Sequence, residues 1–513
     1  MDILSFVTGH LQNIHPSVLQ FIENNIKFLE KYIRKVPFIE NYIEQEYNEA
    51  FEKLESKLKP YQDQSMSFAA LPVMGKPHDE IIMEMKSLAE QEDNKWKNGL
   101  ISGGVFHGDE NHINFLNQVY AIQSQSDPLY PNIWPSAIKY DSEIVSMTAN
   151  MLGAGSTESG SQNQICGTVT SGGTESIILA MKTYRDKAKI EKGISSPEMI
   201  IPESAHAAFD KASQYLNIKK VTMPLNKNFA ADITKVKKAI TKNTIVIIGS
   251  APSFPHGIID PIEALSEIAR QHNIGFHTDA CLGGFILPWA KRLGYPIPPF
   301  DFSLPGVTSI SADTHKFGFA PKGTSVILYR SLELRHYQYF TISDWPGGLY
   351  FSPTFTGSRP GALSAACWAS MIALGEKGYI DTTAKILETA KWIKEKIQDI
   401  PDLFILGDPF FLLAFSSKTL DIHRIMDQMD KKGWILNGLH KPSCIHFCVT
   451  LSHTQNGVAK KFIDDLKDAI SFIRMNPDAP KGIGAIYDLA ATIPVRNIID
   501  DMLKKHIDVF YKV

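Results

Sequence analysis

Between Gly99 and Tyr329 short apolar runs alternate with helical or turn segments, and this alternation restricts the fold more than any other feature. The runs are Met199–Ile201, Lys220–Met223, Thr244–Ile248, Ile274–His277, Val307–Ser311 and Thr324–Tyr329, with a further short one at Val119–Ile122. Helices are predicted over about 139–152 and 175–189. Strands separated by helices assemble into a mostly parallel sheet covered on both faces. Such sheets hold ligands in the loops at the carboxyl ends of their strands. The expected fold class is therefore α/β, and the loops after the apolar runs are where chemistry is to be sought.

One of those loops carries a lysine. The stretch Val307 to Gly323 reads VTSISADTHKFGFAPKG, so Lys316 sits in a tight connection between two buried-looking strands, beside His315 and Phe317. Burying an ammonium is costly. Desolvation lowers the pKa of such a lysine and frees its amine to condense with a carbonyl. The competing reading is a loop lysine that snorkels to solvent and stays charged. This stretch alone does not separate the two.

Composition narrows the class. With 513 residues the chain exceeds one ordinary domain. A formal net charge of −3 gives no basic field for nucleic acid. Five scattered cysteines, an odd number, argue against a disulfide framework and for a reducing compartment. No apolar run approaches the roughly 20 residues of a membrane span, and MDILSFVTGHLQNIHP lacks the plan of a secretory signal. The expected location is cytoplasmic.

Before the alternating region, Val18, Ile22, Ile26, Leu29 and Ile33 recur at helical spacing, with Lys27, Lys31, Arg34 and Lys35 along the same segment. This reads as an amphipathic arm for docking on its own domain, a partner subunit or a membrane surface. Ser65–His78 reads as a linker and 79–98 as a helical patch. From about Ala362 a long helical region runs to Ile400, followed by smaller αβ pieces. The domains expected are a helical arm and linker over 1–98, a large α/β domain over 99–365 and a small α/β domain over 366–513.

Four motifs carry chemistry. Gly167–Ser176, GTVTSGGTES, runs from a strand through Gly172 and Gly173 into a helix start at Thr174. Glycine admits close approach, and the helix start offers unpaired N–H groups to a phosphate. The alternative is an ordinary turn with Thr174 as the helix cap. Ser204–Ala212, SAHAAFDKA, sets His206 among alanines too small to keep a planar ring off its face, although a lone histidine is more often structural. In Phe276–Phe285, FHTDACLGGF, Asp279 ends a strand and needs a cation to stay ionised, either a protein side chain or a protonated heterocycle nitrogen. Lys316 is the fourth. Three other patterns fall away. GAGSTESG at 153–160 lacks the spacing and leading strand of a dinucleotide loop. Cys444, His446 and Cys448 share one face of a strand but lack a fourth ligand for zinc, and read as a core strand. HGDENH at 107–112 reads as a solvated helix start.

A phosphate cradle, an imidazole, a carboxylate and a lysine, in that order, are what pyridoxal 5′-phosphate requires. Its phosphate, ring face, pyridine nitrogen and aldehyde each find a partner, the last as a Schiff base.

At these residues the sequence resembles the sphingosine-1-phosphate lyases, a fold-type-I, pyridoxal-phosphate-dependent family related to the amino-acid decarboxylases. The likeness runs from about Lys27 to about Arg496 and is dense in VTSGGTES, SAHAAFDKA, FPHGIIDP, DACLGGF, TSISADTHKFGFAPKG, TGSRPG and IHFC-TL. It implies a mostly parallel seven-stranded sheet, with Lys316, His206 and Asp279 as the catalytic cofactor residues and Gly173, Thr174, His315 and Ser358 as further cofactor contacts. It implies a homodimer with shared active sites, TGSRPG lying near the partner's site. It places the substrate phosphate near Lys322, Tyr350 and Tyr487, and here the chain departs from the family. Phe106 stands where the family commonly has tyrosine, and Tyr130 where it has histidine; Phe106 donates no hydrogen bond, and Tyr130 carries no positive charge at neutral pH. Eukaryotic members carry a membrane span before the arm, and this chain is expected to start after it. The implied activity is retro-aldol cleavage of a phosphorylated long-chain base to a fatty aldehyde and phosphoethanolamine. An amino-acid decarboxylase and a silent scaffold are the alternatives, separated by carbon dioxide release in one case and by a colourless protein in the other.

Overall fold

Most of the apolar runs become strands because helices formed from the segments between them bury the sheet on both faces; the edge run Lys220–Met223 stays part-exposed. The structure, a computed structural model, describes residues 58–61, 67–155, 164–477 and 496–512. The strands are β1 (Cys166–Thr170), β2 (Glu198–Pro202), β3 (Lys219–Met223), β4 (Thr244–Ser250), β5 (Gly275–Asp279), β6 (Ser309–Ala312) and β7 (Ser325–Tyr329). They form a seven-stranded sheet in the order β1-β7-β6-β5-β4-β2-β3. β7 runs antiparallel to both its neighbours, β1 and β6, and the pairings from β6 through β5, β4 and β2 to β3 are parallel. The α/β class and the mostly parallel sheet expected from sequence are both present.

The helices follow from spacing and capping. α1 (His78–Trp96) and α2 (Glu110–Ile122) precede the sheet, and Asp109 caps α2 by accepting the His112 N–H at 2.9 Å. The helix start read at 107–112 is present, but it is solvated only at Asp109–Asn111: His107 and His112 are part-buried and stack on each other at 4.0 Å. Val119–Ile122 is not a separate apolar element: it is the last turn of α2, whose Leu116 and Val119 pack against Ala366 and Ala369. α3 (Pro135–Met151) starts with proline at its first turn, where a missing N–H costs nothing. α4 (Gly173–Lys192) lays Ile177, Met181 and Tyr184 into a core shared with β2, β4 and α5 (Ala208–Leu216). Phe209 of α5 is fully buried there, a contribution of about 1.5–3 kcal/mol. In α6 (Ile262–Gln271), Ile262, Leu265 and Ala269 recur at helical spacing and are buried where the helix packs on β4 and β5.

Beyond the large sheet, β8 (Phe340–Ile342) and β9 (Tyr350–Ser352) form a hairpin with Phe340, Trp345, Leu349, Phe351 and Phe355 exposed on and around it. α7 (Gly361–Gln398) spans 38 residues and bends at Gly375, whose φ of 56° lies in the region open to glycine. It runs straight through the 365/366 boundary expected from sequence. β10 (Leu403–Ile405), β11 (Leu412–Ser417), β12 (Asn437–His440) and β13 (Ser443–Cys448) form a second sheet in the order β10-β11-β13-β12. α8 (Ile422–Lys431) and α9 (Val458–Met475) pack together beside it.

The chain separates into two units, one of residues 95–439 and 444–479, the other of 1–94, 440–443 and 480–513. The described part of the second unit consists mainly of α1 and α10 (Arg496–Tyr511). Most of the amphipathic arm, the GAGSTESG stretch from Ser156 and the tail with Tyr487 lie outside the described residues. Among the described residues no helix is long and apolar enough to cross a membrane.

Candidate active site

The carboxyl ends of β1, β2, β4, β5 and β6 open onto one cavity of about 530 Å³. It is the place the sheet topology dictates. Gly173, Thr174, His206, Asp279, His315 and Lys316 all line it, as do Phe106 and Lys322.

β1 delivers the chain to Ser171 and Gly172, and α4 begins at Gly173. Thr174 does not cap this helix: the N-cap is Gly172, which has no side chain to take up the first N–H groups. The start of α4 is therefore open to an anion. Gly173 is required by space, because a Cβ there would lie 2.8 Å from both Asp313 carboxylate oxygens and from the Cys281 Sγ. Glu175 holds the turn by accepting the Ser171 N–H at 2.6 Å, and its other oxygen accepts the Phe355 N–H at 3.0 Å.

His206 follows β2, and its Nδ1 accepts the Ala208 N–H at 3.1 Å, which leaves Nε2 to carry the proton of the neutral ring. Phe254 stands edge-on to it at 6.3 Å. Asp279 ends β5, is buried, and accepts the Cys281 N–H at 3.0 Å. Two residues back, His277 is fully buried between the hydroxyls of Ser309 (2.8 Å) and Ser311 (3.2 Å). Burial pushes His277 down to about 4 against the pull of Asp279, so it is neutral at physiological pH.

Lys316 lies in the β6–β7 turn. Its Nζ stands 2.8 Å from the Oδ2 of Asp313, three residues earlier. Burial disfavours its charge, yet Asp313, with Cys281 and Asp279, outweighs burial and holds the ammonium above its ordinary value. This reverses the expectation that desolvation alone would lower it: the sequence shows the buried lysine, and only the fold shows which carboxylate meets it. Since Lys316 pairs with Asp313, it does not serve Asp279, whose cation must be found elsewhere. His315 meets the Thr324 carbonyl through Nδ1, and burial and the neighbouring lysines, against Asp313, hold it below the usual histidine range.

Lys322 lies with its Nζ 4.7 Å from the centroid of the Phe106 ring, and burial and repulsion from Lys316 lower its pKa. Phe106 is itself packed edge-on against Phe317 at 5.0 Å. Among the described residues, the remaining expected ones do not line this cavity. Tyr130 is half exposed beside Trp134, and Tyr350 sits on β9 against Phe340 and Trp345. Ser358 is exposed and hydrogen-bonded to Asp127.

Sequence reasoning missed Asp313, although its spacing of three before Lys316 in a tight turn was a usable signal. It also missed Ser102, whose hydroxyl accepts the Cys448 N–H at 2.9 Å and the Asn437 amide at 3.3 Å. Cys444, His446 and Cys448 are buried in β13 as a core strand, and His446 and Cys448 also reach the cavity wall. Among the described residues no cluster is placed to hold a metal ion.

These residues fit pyridoxal phosphate: an open helix start under a glycine cradle, a buried carboxylate at a strand end not taken up by the site lysine, and a lysine at cavity depth. Sheet and cavity together define a pyridoxal-phosphate-dependent enzyme of fold type I. The pyridoxal-dependent decarboxylase conserved domain matches residues 113–416. A sphingosine-1-phosphate lyase of Arabidopsis thaliana is 45% identical over 95% of this chain and 89% of its own length. Sphingosine-1-phosphate lyase 1 of Mus musculus is 42% identical over 94% and 84% respectively. The solved structure of a Burkholderia pseudomallei sphingosine-1-phosphate lyase superposes with a TM-score of 0.79 at 43% identity, covering 82% of this chain and 96% of that one. The chain belongs to the sphingosine-1-phosphate lyase family. A Lactobacillus brevis glutamate decarboxylase, 18% identical with a TM-score of 0.67 over 81% of this chain and 97% of its own, shares the fold.

Proposed function

We propose that this protein cleaves sphingosine 1-phosphate, or a closely related phosphorylated long-chain base, between C2 and C3 to a fatty aldehyde and phosphoethanolamine. The observation that carries the reading is the pairing, in one cavity, of the cofactor residues with Lys322, a second cation turned over Phe106. When bound, pyridoxal phosphate supplies the electron sink for breaking a carbon–carbon bond.

The chain's own residues divide the remaining work. The start of α4, with Gly173 and Thr174, binds the cofactor phosphate, and His315 lies beside it. His206, on the cavity wall, would lie against the cofactor ring. Asp279 holds a proton at the pyridine nitrogen, which keeps the sink cationic. Lys316 would hold the cofactor through its Nζ, and the same nitrogen is the group placed to move a proton in the cavity. Lys322 holds the substrate phosphate as a point charge. Phe106 adds no hydrogen bond to that contact. Phe254, Leu282 and Leu412 give the cavity apolar walls suited to a hydrocarbon chain.

The protein acts as a homodimer with shared active sites. Tyr130, Tyr350 and Ser358 stand outside their own cavity, and Tyr350 lies on the exposed apolar hairpin. A second copy covering that hairpin brings these residues to the partner's cavity and hides its aromatic surface. The family resemblance makes Tyr487 a further candidate for holding the substrate phosphate. The five free cysteines, all buried, support a reducing, cytoplasmic location, with the N-terminal arm as the element for peripheral membrane contact.

Incubation with sphingosine 1-phosphate, with aldehyde and phosphoethanolamine measured together, tests the reading. Equimolar appearance of both supports it. Carbon dioxide from amino acids with no aldehyde from the lipid replaces it with the decarboxylase alternative.

A further inference from the structure

Asp313 is placed unlike an ordinary structural partner of a lysine. It is 2% exposed, and one carboxylate oxygen, Oδ2, takes the Lys316 ammonium at 2.8 Å. The other oxygen, Oδ1, is buried without a close hydrogen-bond partner, and the Ser325 hydroxyl is the one further side-chain donor that favours the carboxylate. A buried carboxylate oxygen without a close partner is costly in low dielectric and calls for an explanation beyond packing. Both oxygens lie 2.8 Å from where a Cβ on Gly173 would be, so the carboxylate sits between the lysine and the start of α4.

The groups facing Lys316 from each side can be named. Asp313 comes from its own turn, and Asp279 and Cys281 from the end of β5; all three favour its charge. His315 and Lys322, from the same turn, are cationic groups that oppose it when protonated. Only Asp313 is in direct contact. An amine released into this cavity thus has one position in which its charge is met, and that position points at the open end of α4.

We propose that Asp313 is a positioning residue for Lys316: its carboxylate receives the lysine whenever the lysine nitrogen is free, and holds it there as an ammonium, ready to give a proton to the reacting carbon. This rests on Lys316 being the cofactor lysine. The site then has two separate carboxylates with two separate charges to hold. Asp279 serves the ring nitrogen, and Asp313 serves the lysine.

The test reads the lysine itself. In the full-length chain freed of cofactor, the pH dependence of Lys316 acetylation by acetic anhydride is followed by mass spectrometry of its peptide. The wild-type midpoint is expected above the ordinary lysine value of 10.5. Asp313→Asn should move it down by about 1–3 pH units, the range for losing an adjacent opposite charge. Asp313→Glu, which restores the carboxylate, should recover most of the shift. Loss of packing alone would lower the melting temperature and leave the midpoint in place. A wild-type midpoint below 10.5, which needs no variant, or an Asp313→Asn midpoint within a few tenths of wild type, overturns the proposal. Borohydride trapping of the cofactor on Lys316, run separately on the holoenzyme, shows whether the cofactor assignment stands, so the two failures are distinguishable.

Discussion

Replacing Lys322 with methionine isolates the charge that the substrate phosphate is proposed to meet. Methionine keeps the length and apolar contact of the lysine stem against Phe106, where the ammonium now lies 4.7 Å from the ring centroid. What it removes is a charge already partly stripped of water, since burial and Lys316 hold the Lys322 pKa down. A charge-assisted hydrogen bond is worth about 1.5–3 kcal/mol. At one decade per 1.4 kcal/mol this is roughly a 10- to 140-fold loss. Because the phosphate is remote from the bond that breaks, the contact is expected to be equal in ground and transition states, so the loss should fall on KM with kcat little changed. Steady-state aldehyde release measures this, with sphingosine 1-phosphate and unphosphorylated sphingosine compared side by side. Only the phosphorylated substrate should suffer. An unchanged KM for the phosphate ester, or an equal loss for both substrates, would refute Lys322 as the phosphate contact.

Three further outcomes follow from the geometry. Lys316→Ala should abolish both the absorbance of enzyme-bound cofactor imine and lipid cleavage. It should also cost about 3–5 kcal/mol of stability in the cofactor-free chain, because Asp313 is left buried without its partner. In that variant the Asp313 carboxyl is raised, so the penalty shrinks as pH falls and Asp313 takes up a proton; melting curves across pH check the sign, and a penalty that grows toward acid refutes it. Gly173→Ala forces a Cβ against Asp313 and Cys281 at 2.8 Å, an overpacking cost of about 1–3 kcal/mol, and should weaken cofactor binding in a spectroscopic titration. Normal affinity there would remove the cradle from Gly173. His277, His446 and His453 are buried and each is pushed from 6.5 to about 4, mainly by burial, so each binds its proton more readily when unfolded. Stability is therefore full above about 6.5 and lost as pH falls toward about 4. His277→Gln should reduce that slope in a melting-temperature series, and a flat series for the wild type contradicts the burial of these rings.

How much of this was legible beforehand differs from element to element. β4 reads as a strand from TIVIIGS alone because it is buried on both faces and needs no partner to explain its apolarity. The last turn of α2 read as a separate short run because four residues do not show a 3.6-residue period. The cofactor residues were legible because each sits at the end of a strand or in the first residues after it, and in a parallel sheet all such residues converge at one edge. Lys316 was found on that ground, and its charge state stayed open between two readings on the same ground. Burial can be inferred from apolar neighbours, whereas the carboxylate that outweighs burial depends on how the turn closes.

The amino-acid order alone determined the α/β class, the approximate positions of the large-sheet strands and the set of groups a pyridoxal phosphate needs, since these follow from local periodicity and from the loops that end each strand. Only the tertiary structure decided that Asp313 rather than Asp279 meets Lys316, that Gly172 leaves the start of α4 uncapped, and that Tyr130, Tyr350 and Ser358 stand outside the cavity of their own chain. Those outcomes depend on distances of about 3 Å between residues that a sequence sets far apart or leaves unoriented, and Coulombic and hydrogen-bond energies are settled at that range.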